Sequence, residues 1–507
     1  MKSGFFQLIR TRAKRAKGCI KIERRGQVRI LQAKKRGVAD GRSRLRSFSL
    51  LLFVLAPLAC RLDADRKVAE RILDRYRKAA TAKPLPASYV IRMRLLPEIP
   101  GAGTGVAEVA WEPNRFRERV SSAGVTTERG IQGGKAYFTD EDGFTRVASE
   151  PVVRELLSRW YFWRRAWLFA DRARARVGLG SADAAFVSVR LEPPGANPLL
   201  LSFSRRDGTL LAVHSPRFDV DFAGERAFRE RSGLRPAVRA EIAWAGLPME
   251  EIADAVVGGE RGRFAASAGL VPIEPTPGGG ISFPARVSGI PLRLSLDAVV
   301  DGPLVISRQK AAMLSLPFTT DVYGRAIGAG AALEIGGFSA SGIHVEAADA
   351  VPAGSDGVIG GTLFREAVVE LDPKARGLGI HDPARWVFPA GFNRMLVDDD
   401  GDRPVATVRR KSADVRLLVG SRTEGPDLRL APAAASRLEI GLPGEVTGLR
   451  WGILALPPLS AAAETRPASP EWGHDGRLGF GFLLKFHAYL DMPHRWIYLR
   501  AVESPRI

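Results

Sequence analysis

The sequence predicts a mainly β protein, with an N-terminal curved antiparallel half-barrel followed by two β-barrel lobes that repeat one another. Three observations carry this reading. The segments Asp356–Ile380 (DGVIGGTLFREAVVELDPKARGLGI) and Asp475–Leu499 (DGRLGFGFLLKFHAYLDMPHRWIYL) align without a gap. Asp356-Gly357 matches Asp475-Gly476, Gly360 matches Gly479, Leu371-Asp372 matches Leu490-Asp491 and Arg376 matches Arg495. A repeat of this kind marks two copies of one structural unit. From Ala87 to Phe222 short runs of alternating apolar and polar residues are broken by turn signals, as in SYVIRMRLL and GVAEVAWEP, which is the signature of half-buried strands. Finally, 507 residues with 45% hydrophobic content are enough for several domains with their own cores.

The chain opens with a basic leader, residues 1–46, which holds 16 Lys plus Arg against Glu23 and Asp40. Most of the formal net charge of +20 therefore sits there. The remainder has no basic run with interleaved aromatics, so nucleic acid is not an expected partner. The leader is expected to be disordered, and it is longer than an export signal needs, as translation from an upstream start codon would give. Arg42, Arg44 and Arg46 then precede the apolar SFSLLLFVLAPLA, ending at Cys60. Residues 47–60 read as a secretory signal with a possible lipobox, too short for a comfortable membrane span. The leucine usual three residues before a lipidated cysteine is Pro57 here. A lipoprotein signal acylated at Cys60, a plain signal peptide and an uncleaved signal anchor all remain open. Each places the protein outside the cytoplasm, in the periplasm or at the outer membrane. With only Cys19 and Cys60, removal of the leader leaves no intramolecular disulfide.

Residues 61–86 read as a helix and linker, with Val68, Ile72, Leu73 and Tyr76 on one stripe of a helix over Asp63–Ala82. Residues 87–255 form the β domain, with hairpin turns at Asp142-Gly143 and Asp207-Gly208 and one helical insert, Pro151–Ala170. The strand ending in Trp111-Glu112-Pro113, the segment Gly130–Tyr137 and the following DGFTR resemble the LolA/LppX-like half-barrel of bacterial envelope lipoproteins. That resemblance implies a curled sheet around an apolar cavity and a possible lipid ligand. Trp160, Tyr161, Phe162, Trp163, Trp167 and Phe169 would either line such a cavity or pack a helix onto the concave face.

A Pro/Gly-rich linker over 271–280 leads to lobe 1, residues 281–388. A second linker over 389–404 leads to lobe 2, residues 405–503. In lobe 1 the strand Leu294-Ser295-Leu296-Asp297 is followed by Leu304-Val305-Ile306-Ser307, a short helix, the glycine-rich stretch Tyr323–Gly330, and Asp356-Gly357-Val358-Ile359-Gly360. This order resembles the retropepsin-like aspartic peptidases, in the form of the bacterial aspartyl protease family. The resemblance implies two lobes in a pepsin-like pseudo-dimer, with Asp297 in the catalytic position. It places Tyr323, Gly324, Gly328 and Gly330 in a flap, and makes Asp356, Gly357, Gly360, Asp475, Gly476 and Gly479 structural motif residues. An extended peptide or protein would be the ligand or substrate.

The departures from the family pattern decide the expected function. The Thr-Gly that should follow the aspartate is Ala298-Val299, and alignment of Gly302-Pro303 with Gly425-Pro426 puts Gly420 opposite Asp297. Aspartic peptidases need two carboxylates sharing one proton, so lobe 2 is degenerate. The leading expectation is an exported pseudo-peptidase that binds peptide. Its alternative is an acid-type aspartic endopeptidase, a hydrolase using Asp297 with a non-standard second acid such as Asp301 or Glu424. Asp297, Asp301 and Glu424 read otherwise as turn formers.

No cofactor or metal is expected. The six histidines His214, His344, His381, His474, His487 and His494 show no metal-ligand spacing or HExxH. The acidic run Asp398–Asp402 lacks the glutamate of a calcium loop. Gly337–Gly342 is not a nucleophile elbow, and Gly101–Gly105 lacks the Lys-Ser/Thr of a phosphate loop.

Overall fold

The computed structural model describes residues 64–78 and 85–502, apart from 144, 224–225, 233–234, 248–268, 278, 299, 301–303, 362, 364–366, 400–402, 422–424 and 465–473. The basic leader, the signal segment and Cys60 therefore lie outside the described residues, as do Val299, Asp301 and Glu424. Two compact units meet at Glu70/Arg71. Of the first, only the opening turns of helix α1 (64–78) are described. All that follows belongs to the second. Among the described residues, no helix is long and apolar enough to cross a membrane.

The first sheet has thirteen strands: β1 Tyr89–Pro97, β2 Gly105–Glu112, β3 Arg115–Ser122, β4 Val125–Gln132, β5 Lys135–Thr139, β6 Thr145–Val147, β7 Arg176–Ala182, β8 Phe186–Glu192, β9 Leu199–Ser204, β10 Leu210–Ser215, β11 Phe218–Phe222, β12 Ala227–Ser232 and β13 Val238–Gly246. Two antiparallel meanders, β1–β6 and β7–β13, join where β1 pairs with β13. Alternation decides the faces: in β1, Ile91, Met93 and Leu95 are buried while Arg92 and Arg94 are exposed. β7, β12 and β13 were not among the strands legible in the sequence.

Helix α2 (Glu150–Trp163) runs from β6 to β7, the two ends of this sheet. It packs on one face through Phe162 against Phe218, ring centroids 6.0 Å apart, and Trp163 against Phe228 at 5.7 Å. Beneath it Arg159, 2% exposed, pairs with Glu155 at 3.1 Å and Glu230 at 2.8 Å. Trp163 Nε1 donates to Glu118 at 2.8 Å. The aromatic cluster thus packs a helix onto the sheet, and the Arg159, Glu155 and Glu118 charges beneath it are paired, as burial demands, while Trp167 Nε1 is buried without a hydrogen-bond partner.

Lobe 1 comprises β14 Val271–Pro272, β15 Glu274–Pro275, β16 Ile281–Val287, β17 Ile290–Leu296, β18 Leu304–Ser307, α3 Arg308–Ala311, β19 Phe318–Thr320, β20 Ala326–Ile335, β21 Phe338–Ala348, β22 Gly357–Ile359, β23 Val368–Asp372 and β24 Gly377–His381. Strands β16-β17-β22-β18-β21-β20 pair in that order, and β20 pairs back onto β16, closing a six-stranded barrel. Lobe 2 comprises β25 Asn393–Leu396, β26 Asp398–Asp399, β27 Pro404–Arg410, β28 Ala413–Ser421, β29 Leu428–Leu430, α4 Pro432–Arg437, β30 Gly444–Val446, β31 Arg450–Trp451, β32 Leu454–Ala455, β33 Leu459–Ala463, β34 Gly476–Gly479, α5 Phe480–Leu483, β35 Phe486–Asp491 and β36 Trp496–Ala501.

A third sheet, β14-β24-β23-β35-β36-β25, is built from both lobes. In it Val368 pairs with Asp491, Glu370 with Tyr489 and Leu371 with Ala488. Glu370 and Tyr489 are the same position of the sequence repeat, so a pseudo-two-fold axis passes between them. One contiguous core runs from Val271 to Leu499 through both lobes. The two segments expected to be linkers are corrected by this core. Residues 271–280 supply β14 and β15, with Val271 and Ile273 buried. Residues 389–404 supply β25 and β26, with Met395 and Val397 buried. Their prolines and glycines signalled a linker but are tolerated in short edge strands.

Candidate functional site

The site is built by two matching strand pairs. β17 runs parallel to β22, with Leu294 beside Gly357 and Leu296 beside Ile359. β28 runs parallel to β34, with Leu417 beside Gly476 and Val419 beside Leu478. The two registers are equivalent up to Leu296 and Val419, so Gly420, at an irregularity near the end of β28, takes the place that Asp297 takes just after β17.

The same clamp holds both strands. The Asp356 carboxylate accepts the Arg293 N–H at 2.9 Å, and the Asp356 N–H donates to the Arg293 carbonyl at 2.7 Å. Asp475 treats Arg416 in the same way, at 2.9 and 2.6 Å. The carbonyls of Asp356 and Asp475 then accept N–H groups of Ser307 and Ala431, at 2.8 and 2.9 Å. The glycines follow from close approach: a Cβ at Gly357 would lie 2.4 Å from the Val305 oxygen, and one at Gly476 2.1 Å from the Arg429 oxygen. At Gly360 it would meet the Val300 oxygen at 2.5 Å, so the chain passes under the Asp297 loop only without a side chain. That loop is tied down by the Asp297 N–H donating to Ile359 O at 3.0 Å and the Gly361 N–H donating to Val300 O at 3.1 Å.

The two loops touch. The Ala298 N–H donates to the Gly420 carbonyl at 2.9 Å, and Ala298 is fully buried. Gly420 has φ +77°, and a Cβ there would sit 3.0 Å from Ala298 Cβ and 3.7 Å from both Leu483 and Phe480. The junction therefore carries a backbone hydrogen bond as well as apolar packing. Gly420 presents no carboxylate to a dyad. Asp427 is a buried acid of lobe 2, but its carboxylate accepts the Ser460 N–H and Oγ–H, both at 3.1 Å, and faces Lys485 Nζ at 3.1 Å. The pairing of Val305 with Val358 and of Arg429 with Arg477 shows one more residue in lobe 2 than the Gly-Pro alignment gave, inserted between Gly420 and Arg429.

Tyr323 and Gly324 lie in the turn between β19 and β20, while Gly328 and Gly330 lie within β20. In lobe 2 the chain between α4 and β33 makes only the short strands β30, β31 and β32. The turn of the lobe 1 hairpin meets the thirteen-stranded sheet, where Arg325 pairs with Glu141 at 2.8 Å and the Val322 N–H donates to Ser122 Oγ at 2.9 Å. Nothing in the sequence signalled these contacts, which join residues about 200 positions apart.

A second polar cluster lies on the shared sheet. The Glu370 carboxylate accepts from His381 Nε2 at 2.8 Å, His487 Nε2 at 2.7 Å and Tyr489 Oη at 2.9 Å. Burial would raise its pKa, but hydrogen bonds from His381, His487 and Tyr489 outweigh that and hold it at about 2. Glu370, Asp372 and His487 offer atoms within 4.8 Å of one another, as metal ligands would. The donor set fits hydrogen bonding better. Arg500 reaches His487 Nδ1 at 3.1 Å and can only donate, so Nδ1 is the acceptor and Nε2–H points at Glu370. Sequence spacing could not show this cluster, because Glu370 and His487 meet only through the pairing of β23 with β35.

No family model matches the chain, and no curated protein does. Among solved structures it is similar to an aspartic proteinase from Irpex lacteus, at 12% identity and a TM-score of 0.32, over 47% of this chain and 98% of that one. So loose a likeness says nothing of chemistry, and the fold rests on the strand pairing itself.

Proposed function

We propose that this chain is a pseudo-peptidase of the bacterial cell envelope, a retropepsin-like protein whose tandem lobes bind an extended peptide by strand addition without cleaving it. The observation that carries this reading is the Ala298–Gly420 junction: the position matching Asp297 is a glycine whose carbonyl is engaged and whose Cβ direction is filled. Gly420 brings no carboxylate from lobe 2 to share a proton with Asp297, and on this reading the acid–base pair that activates water is not formed. The test is incubation with fluorescein-labelled casein at pH 3–6, with and without pepstatin. No cleavage is expected, while labelled insulin B chain should bind saturably. Pepstatin-sensitive cleavage abolished by Asp297→Asn would establish the endopeptidase instead.

The basic and apolar segment ahead of Cys60 supports export to the periplasm or outer membrane, with acylated Cys60 as the anchor. Mass spectrometry of the mature N-terminus should find a lipid-modified Cys60. An intact leader in a cytosolic fraction would overturn export. In the LolA/LppX-like half-barrel, α2 and its ion pairs occupy the face a lipid would need, so the domain serves as a scaffold in this reading.

A further inference from the structure

We propose that the half-barrel latches the flap hairpin, so that the cleft between the lobes admits ligand only when this interface yields. What is gated rests on the peptide-binding reading above; the latch itself does not. A hairpin tip is ordinarily the most exposed part of its strands. Here Asp321 and Val322, in the turn between β19 and β20, are 2% and 1% exposed.

The grip comes from one end of the thirteen-stranded sheet. In a meander alternate turns fall on the same edge, so the turns β1–β2, β3–β4 and β5–β6 lie together. The β1–β2 turn sends the Gly103 N–H to the Asp321 carbonyl at 3.0 Å, and a Cβ at Gly103 would lie 2.1 Å from the Thr320 oxygen, so only glycine fits. At the β3–β4 turn, Ser122 Oγ accepts the Val322 N–H at 2.9 Å while donating to Thr104 O at 3.0 Å, and Thr319 Oγ1 donates to Ala123 O at 3.1 Å. From the β5–β6 turn, Glu141 takes Arg325, whose Nε also holds Asp321 at 2.8 Å. Beside it the Asp142 carboxylate meets both the N–H and Nδ1 of His344 on β21 at 2.8 Å. Arg235 stacks over the Tyr323 ring at 5.1 Å. Backbone, charge and ring contacts converge on one turn, and a free flap has no use for them.

The test is hydrogen exchange on the full chain, comparing the unaltered protein with Ser122→Ala/Glu141→Gln/Asp142→Asn. Residues 318–330 should exchange at least ten-fold faster in the variant, with 290–296 unchanged. Labelled insulin B chain should associate about ten-fold faster. Fast exchange of 318–330 in the unaltered protein, or no change in the variant, would overturn the latch. Faster exchange with unaltered association would overturn the gating. An exchange response without any peptide binding supports the latch and defeats only the peptide reading. Should the variant not fold, Ser122→Cys/Val322→Cys joins neighbours across the 2.9 Å bond. Its disulfide should abolish B-chain binding and a reductant restore it, and binding that ignores the cross-link overturns the gating.

Discussion

At the residue scale, the position on which the proposed function turns is Gly420. Its φ of +77° is left-handed backbone that a side chain adopts only with strain, and the space beyond is held by Ala298. Putting the missing acid back is therefore not a single-residue repair. Gly420→Asp should lower stability by about 1–3 kcal/mol, from backbone strain and crowding, and leave casein uncut. Urea unfolding measures it. A variant as stable as the parent would mean the junction is looser than the 3.0 Å Cβ approach implies. The absence of an acid at Gly420 was legible in the sequence, because the repeat aligns the two copies. The reason that the glycine is comfortable there was not, since it depends on Ala298 and Leu483 arriving from other elements.

At the scale of elements, legibility followed the range of the forces involved. β1 could be read from its own alternation, and α2 as a helical insert opening at Pro151, although it ends at Trp163 and not at Ala170, because each signal lies within one stretch of chain. The clamp of Asp356 on Arg293 could be located but not explained: the repeat marked the aspartate, yet its partner is a backbone N–H 63 residues away. β14 and β25 were misread because strands of two to four residues take their stability from neighbours, here β24 and β36, while their own residues carry linker composition. The β19–β20 hairpin shows the same limit from the other side. Its glycines mark a hairpin, but Asp321 and Arg325 look like ordinary turn and surface residues until Glu141 is placed beside them.

At the scale of the whole molecule, the lobes behave as one body because one sheet and one core run through both. The pseudo-two-fold axis that separates Glu370 from Tyr489 makes this sheet the counterpart of the Ala298–Gly420 junction: both are places where the repeat meets itself. The polar hub there is asymmetric, with Glu370 and His381 from lobe 1 and His487 and Tyr489 from lobe 2. Its carboxylate is held near pKa 2 against an ordinary 4.5. A lowered carboxylate pKa contributes stability above pH 4.5, and that contribution is lost as pH falls from there toward 2. Glu370→Gln should therefore destabilise the protein by about 1–3 kcal/mol at pH 7, through the loss of charge-assisted bonds. The gap between variant and parent should narrow steadily from pH 5 to pH 3 as the parent's own carboxylate gives up its advantage. Urea unfolding at pH 7, 5, 4 and 3 reads this directly. A gap that stays constant with pH would mean the hub holds the lobes by packing of Tyr489, Phe392 and Trp386 and not by charge.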